Sequence, residues 1–251
     1  MRPAIQTISL RLPLGLGSVN CYLVASGAGR VLIDTGVSGR RSELLRALSL
    51  AGCTPANLKL IVLTHGDFDH GGNAAFLRKR FGARVAMHIK DAGMVEYGDM
   101  FWNRKQDNPV LRAIAPLVFR LPPSDRFRPD VLLEDGVNLA EFGWDAQALN
   151  LPGHSSGSLG FLTRAGELFC GDLFVNSKRP VLNDLMDDLA AARASVERLK
   201  GMGVKTVYPG HGGSFEWKDL DTTETQRKKK RKIFTTKGTK NTKKEKEEKE
   251  D

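Results

Sequence analysis

Four side chains able to hold a metal ion fall within six residues of one another. They are His65, Asp67, Asp69 and His70, in the stretch Leu63-Thr64-His65-Gly66-Asp67-Phe68-Asp69-His70-Gly71-Gly72. The apolar run Leu60-Ile61-Val62-Leu63 leads directly into them. A buried strand that ends in imidazoles and carboxylates has stopped packing and begun to present ligands, and the glycines after it permit a tight turn. Three more candidates stand in similar settings: His154 after Gly153, Asp172 after Gly171 and His211 after Gly210. The chain has five histidines, and four of them lie where an apolar strand gives way to a glycine-containing loop. A surface loop rich in Asp and His would account for one such segment but not for four in the same local setting. Loops at strand ends are where a rigid scaffold displays function.

Imidazole nitrogens mixed with carboxylates suit zinc, iron or manganese. The seven candidates, His65, Asp67, Asp69, His70, His154, Asp172 and His211, are too many for one four-coordinate ion. They fit two ions with a carboxylate between them. Such a pair of cations lowers the pKa of a bridging water enough to supply hydroxide at neutral pH, and it polarises a carbonyl or phosphoryl oxygen. That chemistry needs no serine or cysteine nucleophile, and none is evident.

The elements that must position these residues can be read in outline. Residues 4–12 alternate as a half-buried strand, and 21–24 and 30–33 are short apolar strands, the second running into the turn Asp34-Thr35-Gly36. Ser38 reads as the N-cap of a helix that carries Leu44, Leu45 and Leu48 on one face and stops at Gly52. Thr54-Pro55 reads as a second helix start. Strand 59–63, a helix from Asn73 to Phe81 stopped by Gly82, and strand 84–88 follow. Residues 91–130 change character, rich in aromatics and arginine without strand alternation, and are read as an inserted lid or substrate segment or, equally, as an amphipathic helix pair packed on the body. Beyond them come strands at 131–133 and 147–149, a hairpin of 159–162 with 167–170 that ends at Gly171-Asp172, a helix over 187–200, and a last strand at 205–208.

Residues 222–251 carry twelve basic and six acidic side chains, so +6 of the formal charge of +9 lies there. Ile233 and Phe234 are the only large apolar residues of this tail, too few to offset the entropy of ordering it, and disorder is expected. The body, residues 1–221, is then nearly charge-balanced and is expected to form one domain. No run approaches the roughly 18 apolar residues of a membrane span. Polar residues interrupt the first apolar stretch, leaving no signal-peptide core. Cys21, Cys53 and Cys170 are odd in number and set in apolar runs, as buried free thiols of a reducing cytoplasm would be.

Taken together, the motifs resemble those of the metallo-β-lactamase fold superfamily, over about residues 4–217. That family's T-H-x-H-x-D-H, G-H-[ST]-x-G-[ST], G-D and late G-H segments correspond in order to Thr64–His70, Gly153–Ser158, Gly171-Asp172 and Gly210-His211, and its early D-T-G turn to Asp34-Thr35-Gly36. The resemblance implies an α/β fold, a four-layer αββα sandwich with metals at one edge between two sheets. It further implies two divalent transition-metal ions, one on His65, Asp67 and His154 and the other on Asp69, His70 and His211, with Asp172 between them. Asp69 and Asp172 would act in catalysis, Asp69 by orienting the bridging hydroxide, and Asp34 and Ser158 would support the ligand loops. The departure is Asp67, where the family pattern has histidine. A carboxylate there makes the site more anionic and admits iron or manganese beside zinc, as in the flavodiiron proteins of the same fold.

The leading expectation is a cytoplasmic, dinuclear metal-dependent hydrolase, similar to glyoxalase II-like enzymes, acting on a small ester, thioester, lactone or amide. Arg104, Lys105 and Arg112 are its candidate substrate contacts. Nuclease or phosphodiesterase activity is the first alternative, but the 38 residues between Asp172 and His211 are too few for the extra domain of the nuclease subgroup, and no nucleic-acid or membrane partner is expected. Di-iron or mononuclear-iron oxidoreduction is the second, and a non-catalytic binding role the third. A homodimer stays open.

Overall fold

The computed structural model describes residues 4–27, 29–104 and 119–221 of the chain. Strands β1 (Ile5–Arg11), β2 (Ser18–Ser26), β3 (Gly29–Ile33), β4 (Leu58–Val62), β5 (Arg84–His88) and β6 (Val131–Leu133) pair in that order into one six-stranded sheet. The β1–β2–β3 meander is antiparallel, and β3 to β6 run parallel. A second sheet has the order β12-β11-β9-β8-β7, from β7 (Ala146–Asn150), β8 (Leu159–Thr163), β9 (Glu167–Asn176), β11 (Thr206–Gly212) and β12 (Phe215–Glu216), with β10 (Val181–Leu182) paired to β9.

Three apolar layers explain the stacking. Leu32, Ile61 and Val85 on the outer face of the first sheet pack with Leu44 and Leu48 of α1 (Arg41–Leu50) and with Leu77 and Phe81 of α3 (Ala74–Phe81), the helix that follows the short α2 (Phe68–Gly71). Val31, Ile33, Leu60 and Val62 on the inner face meet Ala148, Phe161 and Phe169 of the second sheet. Leu149, Leu168 and Val207 on the far side of that sheet pack with Ala192, Val196 and Leu199 of the last helix (Leu189–Leu199). The molecule is therefore an αββα sandwich. The central strands are buried on both faces, which is why Leu60-Ile61-Val62 reads as an unbroken apolar run rather than an alternating one.

Helix ends follow side-chain chemistry where it is available. Gly82 closes α3 in the left-handed region at φ 69°. Asp188 accepts hydrogen bonds from the backbone N–H groups of Ala190 and Ala191 and caps the last helix, which starts at Leu189, two residues after the expected start.

Several expectations about local structure are corrected. The Ser38 hydroxyl does not cap α1; it donates to the Gly72 carbonyl at 2.8 Å and ties the helix entry to the ligand loop. No helix starts at Thr54-Pro55. The Asn57 side chain instead accepts from the Thr54 N–H and donates to the Gly52 carbonyl, closing a single turn before β4 begins. The strand expected to stop at Cys170 continues to Asn176, and the one expected to stop at Tyr208 runs to Gly212. The parallel register of these two strands shifts around Pro209, so Asp172 and His211 are presented from irregular strand rather than from loops. A further short strand, β12, follows the one read as last.

Of the 91–130 segment, a helix, α4 (Ala92–Tyr97), and the flanks up to Arg104 and from Phe119 are described. Lys105, Arg112 and the 222–251 tail lie outside the described residues. Among the described residues no helix is long and apolar enough to cross a membrane. Cys21, Cys53 and Cys170 are buried free thiols.

Candidate metal centre

The seven candidate ligands come from both sheets and meet at one edge of the sandwich. Beyond β4 the chain is pinned by Asp34, a non-glycine residue held in the left-handed region at φ 57°. Its carboxylate accepts from the Thr64 backbone N–H and from the Thr64 hydroxyl, each at 2.8 Å. The Leu159 N–H donates to the Thr64 carbonyl at 2.7 Å and joins β8 to the same loop. On the opposite side, Tyr22 and Asn20 of β2 donate to the carbonyls of Pro209 and Gly212, fixing the segment that carries His211. Gly210 is required in that segment because a Cβ there would run into Asp172 Oδ1 and come within 2.7 Å of His70 Cε1.

All four histidines are anchored through Nδ1. His65 Nδ1 lies 3.0 Å from the Thr64 hydroxyl, which already donates to Asp34 and so accepts from the ring. His70 Nδ1 lies 2.8 Å from Asp34 Oδ2, His154 Nδ1 2.6 Å from the Leu185 carbonyl, and His211 Nδ1 2.8 Å from the Ser18 carbonyl. Each of these partners accepts a proton, so the network assigns Nδ1–H to every ring and leaves Nε2 as the free ligand atom. The Nε2 atoms converge on carboxylates: His65 and His154 on Asp67 Oδ2 at 3.5 and 3.0 Å, His70 on Asp172 Oδ1 at 3.4 Å, and His211 on Asp172 Oδ2 at 3.3 Å and Asp69 Oδ2 at 3.6 Å.

Ligand atoms of His65, His154 and Asp172 lie within 4.8 Å of one another, and so do those of Asp69, His70 and His211. His65 Nε2, His70 Nε2 and Asp172 Oδ1 are buried without a hydrogen-bond partner. Buried polar atoms are rarely left so. Orphaned lone pairs aimed into a common space are what a bound cation satisfies, and the residues present therefore fit a metal pair.

The electrostatics of the bare site are those of ligands crowded together. Burial, then the neighbouring His70, pushes the His65 imidazole down to about 4 and keeps it neutral. Burial opposes charge on His211, yet Asp172 outweighs it and lifts that ring to about 9. His70 is raised in the same way, burial being overcome by Asp34 and Asp172. Burial also works against the Asp172 and Asp67 carboxylates, but His211 and His70 hold the first, and Arg104 and His65 the second, well below the usual carboxylate range. Asp69 moves the other way, raised by burial.

Arg104 is placed against Asp67, not in open solvent. Its Nη2 lies 2.9 and 3.1 Å from the two Asp67 oxygens, and its Nε lies 3.3 Å from Asp187 Oδ2. Ser158 Oγ accepts from the Ser155 N–H at 3.0 Å within the loop that carries His154. Sequence reasoning missed Asp91, which is buried and accepts from the Ser155 hydroxyl at 2.5 Å and the Gly157 N–H at 2.9 Å, holding that loop from outside. Nothing in the sequence distinguished Asp91 from an acidic residue at a helix start. The carbonyls of Ser18 and Leu185 were equally invisible, because a backbone acceptor carries no residue-type signal.

Comparison with known proteins identifies the family. The family model described as the metallo-beta-lactamase superfamily matches residues 14–211. The acyl-coenzyme A thioesterase MBLAC2 of Bos taurus is 32% identical over 227 residues, covering 78% of this chain and 74% of that protein. The hydroxyacylglutathione hydrolase GloC of Haemophilus influenzae is 28% identical over 168 residues, covering 64% and 69%. The crystal structure of TTHA1623 in a di-iron-bound form superposes with a TM-score of 0.62 at 30% identity, covering 82% of this chain and 94% of that one. Against three other curated relatives the chain spans only 53 to 61% of their length.

Proposed function

The chain belongs to the metallo-beta-lactamase superfamily, and from that premise we propose that it is a dinuclear metal-dependent hydrolase of a small ester or thioester. The observation that carries the reading is the set of four Nδ1-anchored histidines whose Nε2 atoms turn onto Asp67, Asp69 and Asp172. His65, His154 and Asp67 would hold one ion, Asp69, His70 and His211 the other, and Asp172, within reach of both groups, would lie between. When bound, such a pair of ions supplies an acidified water and a Lewis acid for the substrate carbonyl. The protein's own part is to fix the ligands and to orient the water. Asp34 orients His70 directly and the His65 loop through Thr64. Asp69, whose Oδ2 lies 3.6 Å from His211 Nε2, would accept a hydrogen bond from that water and orient it for attack.

Two similarities support the substrate class, a thioesterase and a hydroxyacylglutathione hydrolase by name. Asp67, together with similarity to a di-iron-bound structure, supports iron or manganese as alternatives to zinc. The test is a panel of thioester, lactone and phosphodiester substrates against the wild-type chain and His154→Ala, each loaded with zinc, iron or manganese. Hydrolysis of a thioester or ester that His154→Ala abolishes is expected. Activity on phosphodiesters alone, or esterase activity untouched by His154→Ala, contradicts the proposal.

A further inference from the structure

Position 67 is where the site departs from the imidazole of the family pattern, and Arg104 is the group the structure sets against it. The Arg104 side chain is only 6% exposed, and its Nη2 approaches both Asp67 oxygens, at 2.9 and 3.1 Å. A side chain so enclosed and so engaged is poorly placed to meet a substrate anion arriving from solvent. Its remaining neighbours are acidic: Asp187 at 3.3 Å from Nε, and Asp91, close enough to interact with it electrostatically. Asp187 stands two residues from Leu185, whose carbonyl orients His154, and Asp91 holds the Ser155–Gly157 turn. Arg104 thus contacts or faces each of the three segments that build the His65–His154 half of the centre.

We propose that Arg104 is a positioning residue of the metal centre, the counter-charge that lets a carboxylate stand at position 67. Replacing a neutral imidazole by Asp67 adds one negative charge to a buried cluster of anions, and Arg104 returns one positive charge at contact distance. The pair is net neutral, as an imidazole would be, and Nη2, set against both oxygens, keeps the carboxylate turned toward His65 and His154. The charge at 104 and the residue type at 67 therefore belong together. This inference rests on the reading of Asp67 as a ligand.

A cycle of substitutions read by metal affinity tests it. Chelator-competition titration of the full chain resolves the binding steps, and the step that His154→Ala removes identifies the His65–His154 half. Asp67→Asn leaves the Arg104 charge unbalanced beside the ion and is expected to weaken that step by about a hundredfold. Adding Arg104→Gln removes the repulsion and should recover about tenfold, whereas Arg104→Lys keeps the charge and should recover nothing. Asp67→His provides the same comparison should Asp67→Asn fail to fold. If Arg104→Gln gives no recovery, or Arg104→Lys recovers as much, the counter-charge role is wrong. Arg104→Gln that raises KM for an anionic substrate while leaving metal affinity in both backgrounds unchanged overturns it in favour of substrate binding. If His154→Ala removes no binding step, the metal-centre reading itself fails, a result distinct from either.

Discussion

The two halves of the candidate centre use the same kinds of side chain and balance their charges differently. In the half built from Asp69, His70 and His211, the compensating group lies behind an imidazole: Asp34 at 2.8 Å from His70 Nδ1. In the half built from His65, Asp67 and His154, it lies behind a carboxylate: Arg104 at 2.9 Å from Asp67. A carboxylate behind histidine strengthens the ring as a donor, while a guanidinium behind aspartate weakens the carboxylate toward the strength of a neutral ligand. One half is tuned by an anion and the other by a cation, so the two should respond to different perturbations.

The most severe test of that comparison removes what the halves share. Asp172 faces His70, His154 and His211, so Asp172→Asn should weaken both binding steps and lower kcat/KM by more than about a hundredfold, beyond the usual cost of losing an outer partner. Loss confined to one step would break the idea of a bridging residue. Asp34→Asn should discriminate between the halves. It removes the anion behind His70 and should cost about 10- to 100-fold in affinity there, and less in the His65–His154 half, where Thr64 intervenes. Equal losses in both steps would show that Asp34 acts by supporting the backbone instead.

Proton competition sharpens the contrast further. His211 of the metal-free protein is lifted to about 9, above an ordinary unfolded value of about 6.5. The charged ring therefore stabilises the metal-free fold fully below the unfolded value, and that contribution fades as pH rises through 9. Metal must displace this proton and the one on His70, which is raised likewise, so affinity in that half should rise with pH up to about 9, by at most about a hundredfold per unit for the two protons. His65, pushed down to about 4, competes for no proton over that range, so its half releases only the proton of His154, which is raised against burial by its hydrogen bond to Asp67. Titrations at pH 6, 7.5 and 9 that give parallel slopes for both steps would remove the distinction. The smallest effect is a control: Asp188→Ala, which removes the cap of the last helix, should cost about 1 kcal/mol of stability and leave both affinities unchanged.

Much of this architecture was legible in the residues. Leu60-Ile61-Val62 announces a strand buried on both faces, and ligands at its end announce the site edge. The order of His65–His70, His154, Asp172 and His211 indicated how the sheets must come together. What could not be read was governed by contacts distant in sequence. Ser38 looks like a cap, but its hydroxyl is taken by the Gly72 carbonyl 34 residues away. Asp172 reads as a ligand where a strand ends, but pairing of β9 with β11, resumed after the register shifts, carries the strand past it to Asn176. Arg104 reads as a candidate substrate contact in an irregular segment, and only the fold places it 37 residues back, on Asp67. Pattern specifies what each element is; pairing across the molecule decides which side chains are left to do chemistry.

The central claim, that this chain assembles a two-ion centre from seven side chains, is tested most directly by elemental analysis of purified full-length protein expressed separately with zinc, iron and manganese. Two ions per chain with at least one of these metals is the predicted result. One ion per chain or fewer under all three conditions would contradict it.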